Sequence, residues 1–232
     1  MFAIEQSELG RIVIAPTLPA GKALFYTTLD FDGRISDGLT RLLAQRFGME
    51  ATLYTCNQVH GTSVQHVGHG SQAATSDPCD ALWTDQHHVA LGIKIADCLP
   101  VTLIDGETIA NIHSGWRGAA QRITTVALDA LERGSSFNSK TACAYLGPAI
   151  RVCCFEVGEE VAAQFPSGVV DRTHAKPHVD VPALTVDLLL QRGFRPDRIF
   201  DSGLCTRCDG SIFHSFRRDG KGGGRNLAIV AQ

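Results

Sequence analysis

A cysteine and a histidine flank the strongest turn signal in this sequence. Between Cys98 and His113 two apolar runs surround Asp105-Gly106. That dipeptide favours a two-residue hairpin turn, because Gly accepts positive φ and Asp tolerates it. With Asp105 and Gly106 as the loop residues, Cys98 and His113 fall directly opposite each other on one face of the ladder. Opposed Cβ atoms lie roughly 4.5–5.5 Å apart, which suits a thiolate and an imidazole sharing one tetrahedral zinc, with bonds near ~2.3 and ~2.1 Å. The same pair would also serve a cysteine hydrolase, with Cys98 as nucleophile and His113 as its base. A bulge at Pro100, which cannot donate to the ladder, would shift the register.

Other residues could do chemistry nearby. His113 is followed by Ser114-Gly115-Trp116-Arg117-Gly118, and amides at a helix start together with the Arg117 fork would attract an anion. Arg217, Arg218, Lys221 and Arg225 gather around Gly222-Gly223-Gly224, a cluster sized for a phosphate or carboxylate rather than a duplex. Cys205 and Cys208 form a C-x-x-C, but no second C-x-x-C is present to complete four ligands. Cys153 and Cys154 read as core, in keeping with how often cysteine is buried. His66, His69, His87 and His88 sit in polar, turn-rich stretches and read as solvated.

The elements that must position these residues follow from periodicity. Strands are expected at 11–15, 22–27, 52–54, 62–67, 89–95, 101–104, 108–113, 141–146 and 198–201. Helices are expected at 38–47, 117–133, 157–165 and 184–192. Strands and helices mix without a strict βαβ rhythm, so an α/β fold with mixed sheets is expected. The chain has 232 residues, 44% hydrophobic and 19% charged, with a formal net charge of -3. Such a balance permits a sizeable core and sets no global field for nucleic acid or an anionic membrane. Neither a secretory signal nor a run of about 18 apolar residues is visible, so a cytoplasmic location with reduced thiols is expected.

The ordered motifs resemble the laccase-domain family, of the purine nucleoside phosphorylase and adenosine deaminase type. They are Gln-Val-His-Gly at 58–61, Asp-Ala-Leu at 80–82, Ala-Asp-Cys-Leu-Pro at 96–100 and His-Ser-Gly-Trp-Arg-Gly at 113–118. Gly-Pro-Ala-Ile at 147–150, Cys-Cys-Phe-Glu-Val-Gly at 153–158, Cys-Thr at 205–206 and Phe-Arg-Arg-Asp-Gly at 216–220 follow. The resemblance implies a single domain over 1–232, with mixed β-sheets sandwiched between helices in an α/β/β/α-like order. It implies zinc, in preference to copper, held by His60, Cys98 and His113. Multicopper oxidases are rich in His-x-His pairs, and this chain has none.

The chain departs from the family near its N-terminus, where 28–36 lacks the usual Thr-Arg and Gly-Gly-Val-Ser-type loop and Arg34 is the nearest arginine. Phe155 stands where Tyr is usual, and Arg151-Val152 replaces Gly-Pro.

Taken with the resemblance, the expected function is phosphorolysis of adenosine, inosine or guanosine, with adenosine deaminase and methylthioadenosine phosphorylase activity. Three ligands leave a fourth zinc position open, the mark of a catalytic site. Arg117, with Arg217 or Arg225, would bind phosphate, and Asp97 would shuttle protons. The expected partners are purine nucleosides and phosphate, with neither nucleic acid nor membrane. Two rivals stand beside this reading: the Cys98 hydrolase, acting for instance in editing of peptidoglycan precursors, and a zinc-binding protein without catalysis.

Overall fold

The computed structural model describes residues 1–31 and 37–232; Arg34, the arginine nearest the altered N-terminal loop motif, lies outside the described residues. In chain order the first strands are β1 (Ala3–Ser7), β2 (Gly10–Ile14), β3 (Ala23–Thr27), β4 (Thr52–Asn57) and β5 (Val64–His66). Next come β6 (Ala74–Pro78), β7 (Ala81–Thr84), β8 (Val89–Ile95), β9 (Leu99–Asp105) and β10 (Thr108–Ser114). The last are β11 (Cys143–Leu146), β12 (Val170–Asp171), β13 (His178–Val179), β14 (Ile199–Asp201) and β15 (Asn226–Ala231). The helices are α1 (Asp37–Phe47), α2 (Trp116–Ala120), α3 (Ile123–Gly134), α4 (Glu159–Ala162), α5 (Val181–Gln191) and α6 (Phe216–Asp219).

Two mixed sheets stack face to face. One runs β1-β2-β3-β15-β8-β4-β6 and the other β14-β11-β9-β10-β7-β5. Val13, Leu24, Leu91, Ile93 and Val230 from the first meet Leu82, Ile104, Ile109 and Tyr145 from the second. The outer face of the first sheet buries Phe25, Leu53 and Ile229 against Leu39, Leu42 and Leu43 of α1. The outer face of the second buries Val101, Leu103, Ala110 and Ile112 against α2, α3 and α5. The architecture is therefore helix, sheet, sheet, helix, a single mixed α/β domain. Strands buried on both faces read as continuous apolar runs rather than alternating ones, as 89–93 does before the exposed Lys94.

Three local expectations are corrected. The β9–β10 hairpin pairs Asp105 with Thr108 and places His113 opposite Pro100, not opposite Cys98. The loop residues are Gly106 and Glu107, with Gly106 at φ +53° in the first central position, where a type II′ turn puts its glycine. Asp105 stays in the strand because its carboxylate accepts from Asn138 N at 2.7 Å and Thr141 Oγ1 at 2.8 Å. The helix expected over 117–133 is two: Arg122 adopts φ 59°, ψ 45° and separates α2 from α3. The α4 helix is also shorter than the pattern over 157–165 predicts.

Candidate functional site

His60, Cys98 and His113 come together although none opposes another in a ladder. Their ligating atoms all lie within 4.8 Å of one another. His60 sits in the connection from β4 in the first sheet to β5 in the second, and Cys98 in the connection from β8 to β9. Both connections cross between sheets at the same end of the sandwich, where β10 delivers His113. The register shift of two residues preserves the face; continued one step beyond its last pair, Leu99 with Ser114, it sets Gly115 across from Cys98 and His113 on the diagonal. A Cβ at Gly115 would stand 2.9 Å from His60 Cδ2 and 3.1 Å from the Cys98 sulfur. Glycine there leaves the room in which the three side chains converge.

One carboxylate organises two of the three. Asp80 is fully buried and accepts from His113 Nδ1 at 2.8 Å. It also accepts from three successive backbone N–H groups: Val59 at 3.3 Å, His60 at 2.9 Å and Gly61 at 2.6 Å. Those bonds hold His60 in the left-handed region, at φ 61°, a conformation that costs a non-glycine residue free energy. Burial alone would push the Asp80 carboxyl up, but the His113 ring and the Gly61 and His60 amides outweigh it and hold it below the ordinary range. With Nδ1 spent on Asp80, His113 turns Nε2 toward Cys98, the carboxylate–histidine arrangement that orients metal-bound imidazoles.

Burial raises the Cys98 thiol, yet His113 and His60 overcome it and bring it down to about 6. His113 is penalised by burial but carried up to about 9 by Asp80 and the Cys98 sulfur. Both histidines thus favour the thiolate, the form that ligates metal or attacks carbon. Ligands on a tetrahedral zinc stand about 3.5 Å apart, so one thiolate, two imidazoles and a supporting carboxylate fit such an ion.

The triad forms one wall of a cavity of about 690 Å³, also lined by Ser114, Trp116, Arg117, Phe155, Phe216, Arg217 and Arg225. The three arginines expected as anion contacts do reach one cavity, each braced differently. Arg117 lies over the Trp116 ring at 4.4 Å. Arg217 donates to the Glu156 carbonyl at 2.9 Å and lies 5.4 Å from the Phe155 ring. Arg225 donates to the Gly223 and Gly224 carbonyls, both at 2.8 Å. Those carbonyls face a guanidinium, so the glycine run braces Arg225. Arg218 turns away and pairs with Asp219 at 2.8 Å.

Asp97 lines the cavity at φ 88°. Its Oδ1 accepts from Thr206 Oγ1 at 2.7 Å and its Oδ2 from Arg217 N at 2.6 Å. Both oxygens are engaged with the protein's own donors.

Sequence reasoning passed over Asp80, Gly115 and Ser114. Asp80 and Gly115 lie in recognised motifs, but their roles depend on contacts across sheets. Ser114 is 1% exposed and its hydroxyl has no hydrogen-bond partner, although it lines the cavity. The reading of Cys153 as core is corrected, since it is exposed and clusters with Cys154, Cys205 and Cys208.

With this geometry established, comparison with known proteins gives a consistent result. Residues 30–232 match the family described as multi-copper polyphenol oxidoreductase laccase. Purine nucleoside phosphorylase of Xylella fastidiosa (strain Temecula1) is 36% identical over 196 residues, covering 78% of this chain and 73% of its own length. Adenosine deaminase RL5, from an unknown prokaryotic organism, is 34% identical over 169 residues; the match spans 68% of this chain and 64% of that protein. The crystal structure of YlmD from Geobacillus stearothermophilus superposes with a TM-score of 0.82 at 26% identity, covering 99% of this chain and 98% of that one. YfiH from Bacillus licheniformis shares the fold, with a TM-score of 0.84 at 21% identity over 95% of this chain and 96% of that one. Among the described residues, no helix is long and apolar enough to cross a membrane.

Proposed function

The chain belongs to the multi-copper polyphenol oxidoreductase laccase family, and on that premise we propose that it is a zinc-dependent purine nucleoside phosphorylase with adenosine deaminase activity. Methylthioadenosine is an expected further substrate. The observation that carries this reading is the combination of a three-ligand His-Cys-His cluster with aromatic rings and three arginines around one cavity. A volume of about 690 Å³ falls within the range for small-ligand sites.

His60, Cys98 and His113 would hold the ion and leave one position open. When bound, zinc supplies Lewis acidity at that open position and activates water at neutral pH. The aromatic residues Trp116, Phe155 and Phe216 offer faces to a purine, and Phe216, 46% exposed, gains most by covering one. The guanidiniums of Arg117, Arg217 and Arg225 neutralise phosphate beside the sugar through charge-assisted hydrogen bonds. Ser114 offers its unpartnered hydroxyl to a polar group of the nucleoside, which would meet the cost of burying it alone. Asp97 acts by position: by gripping Thr206 and the amide of Arg217, it sets the wall on which Arg217 stands.

The lowered Cys98 thiol also suits a nucleophile, which keeps the hydrolase reading in play. Metal content coupled to product analysis separates the two. Adenosine is expected to give adenine only with phosphate, to give inosine without it, and to lead through inosine to hypoxanthine when both reactions run. Cys98→Ala is expected to lose the ion bound at this triad together with all nucleoside turnover. Full turnover in the metal-free variant, or iodoacetamide labelling of Cys98 without a chelator, would overturn the zinc reading. Silence across a nucleoside panel by the loaded protein would favour a non-catalytic role.

A further inference from the structure

Behind the Phe155 wall of the cavity, four thiols converge that the nucleoside chemistry does not use. Cys153 and Cys154 lie in the turn after β11, and Cys205 and Cys208 in the turn between β14 and α6. The Cys153 sulfur stands 3.7 Å from that of Cys154, 3.8 Å from Cys205 and 3.7 Å from Cys208. The Cys154 and Cys208 sulfurs are 3.3 Å apart. All four lie within 4.8 Å of one another, and all are free thiols. A tetrahedron of four sulfurs around zinc, with bonds near 2.3 Å, has edges of about 3.8 Å. A disulfide would bring two sulfurs to about 2.05 Å. The spacing is that of ligands around a common centre.

We propose that Cys153, Cys154, Cys205 and Cys208 bind a second zinc ion in a closed tetrathiolate site. The C-x-x-C supplies two ligands from one turn, and a vicinal pair replaces the second C-x-x-C that the sequence lacks. Each thiol gives up its proton to solvent on ligation, and the resulting excess negative charge has compensation at hand. Arg207 lies within the C-x-x-C itself, so a guanidinium stands in the same turn as two of the four sulfurs; charges beside ligand atoms are what tune thiolate sites. Four protein ligands leave no open position, so the ion is structural rather than catalytic.

Its place in the fold gives it work to do. Ile150, just before the first pair, donates its N–H to the Asp97 carbonyl at 2.9 Å. Thr206, inside the second pair, grips the Asp97 carboxylate, and the Cys154 and Glu156 carbonyls receive Arg217. An ion at the four sulfurs would staple the two turns that carry the Phe155 and Arg217 side of the cavity. The proposal is independent of what the cavity turns over.

The test is metal analysis of the full chain purified under reducing, chelator-free conditions. Two zinc per chain are expected. Cys153→Ser combined with Cys208→Ser should retain one, and His60→Ala combined with Cys98→Ala should also retain one, each pair losing only its own ion. Because the cysteine double variant could fail to fold, the unsubstituted chain is also loaded with cobalt(II). Intense sulfur-to-cobalt charge-transfer absorption is expected, and it should survive in the His60/Cys98 variant. One zinc per chain with no such absorption in that variant would overturn the proposal. So would a disulfide among these four cysteines in freshly purified reduced protein.

Discussion

At the residue scale, Asp80 carries more of the candidate site than any ligand. It fixes the tautomer and direction of His113 through Nδ1 and, through three amides, the strained backbone of His60. Asn in its place would keep the shape but remove the charge and present an NH₂ group to donors. Asp80→Asn is therefore expected to weaken zinc binding by about 10- to 100-fold, the usual effect of removing a partner behind a ligand. Competition with a fluorescent zinc chelator measures this directly, and unchanged affinity would show that His60 and His113 are positioned without it. Of the three candidate ligands, Cys98 and His113 stood out because a hairpin joins them, whereas His60, one of nine histidines, entered only through the family resemblance. Asp80 was not legible, because nothing in an Asp-Ala-Leu triplet says that its carboxylate will meet amides and an imidazole from two other segments.

The β9–β10 hairpin shows the same limit at the scale of elements. Its apolar runs are plain in the sequence, and so is the turn, yet the register differs from expectation by two residues. Turn propensity favoured Asp105-Gly106, but the carboxylate of Asp105 is claimed by the distant turn at 138–141. That contact outweighs the local preference. A slip of two residues keeps every side chain on its face, which is why Cys98 and His113 still meet. It also puts residue 115, not 113, across from Cys98. Gly115→Ala would force a methyl group against His60 Cδ2 and the Cys98 sulfur. His60, exposed and on a loop, is the group free to yield. The expected outcome is at least about tenfold weaker zinc binding with an unchanged far-ultraviolet circular dichroism spectrum. Retained affinity would mean that the ligands approach from farther apart.

The break at Arg122 was equally hidden. Its neighbours keep an unbroken helical stripe, and only the left-handed backbone at that one residue divides α2 from α3. The short α2 then presents Trp116 and Arg117 to the cavity, while α3 packs along the second sheet.

At the scale of the whole molecule, the candidate site exists because two sheets hold their crossovers together, and β10 supplies a polar tie between them. Asn111 is fully buried in the second sheet. Its Nδ2 donates to the Leu91 carbonyl of β8 at 3.0 Å and to the Ala228 carbonyl of β15 at 2.9 Å, both in the first sheet. Its Oδ1 accepts from Thr102 Oγ1 at 3.2 Å. Leucine would fit the space but leave the Thr102 hydroxyl without that acceptor and both carbonyls without this donor. Asn111→Leu is expected to lower stability by about 2–4 kcal/mol, since buried polar groups stripped of partners cost about 1–3 kcal/mol each. Urea denaturation with and without chelator reads the effect and its reach. The tie lies between sheets, not at the ligands, so the loss should be equal in the metal-free and loaded protein, with zinc affinity unchanged. A loss confined to the loaded form would instead mean that Asn111 serves the metal crossovers alone. No loss in either form would show that apolar contacts between the sheets suffice to hold them in register.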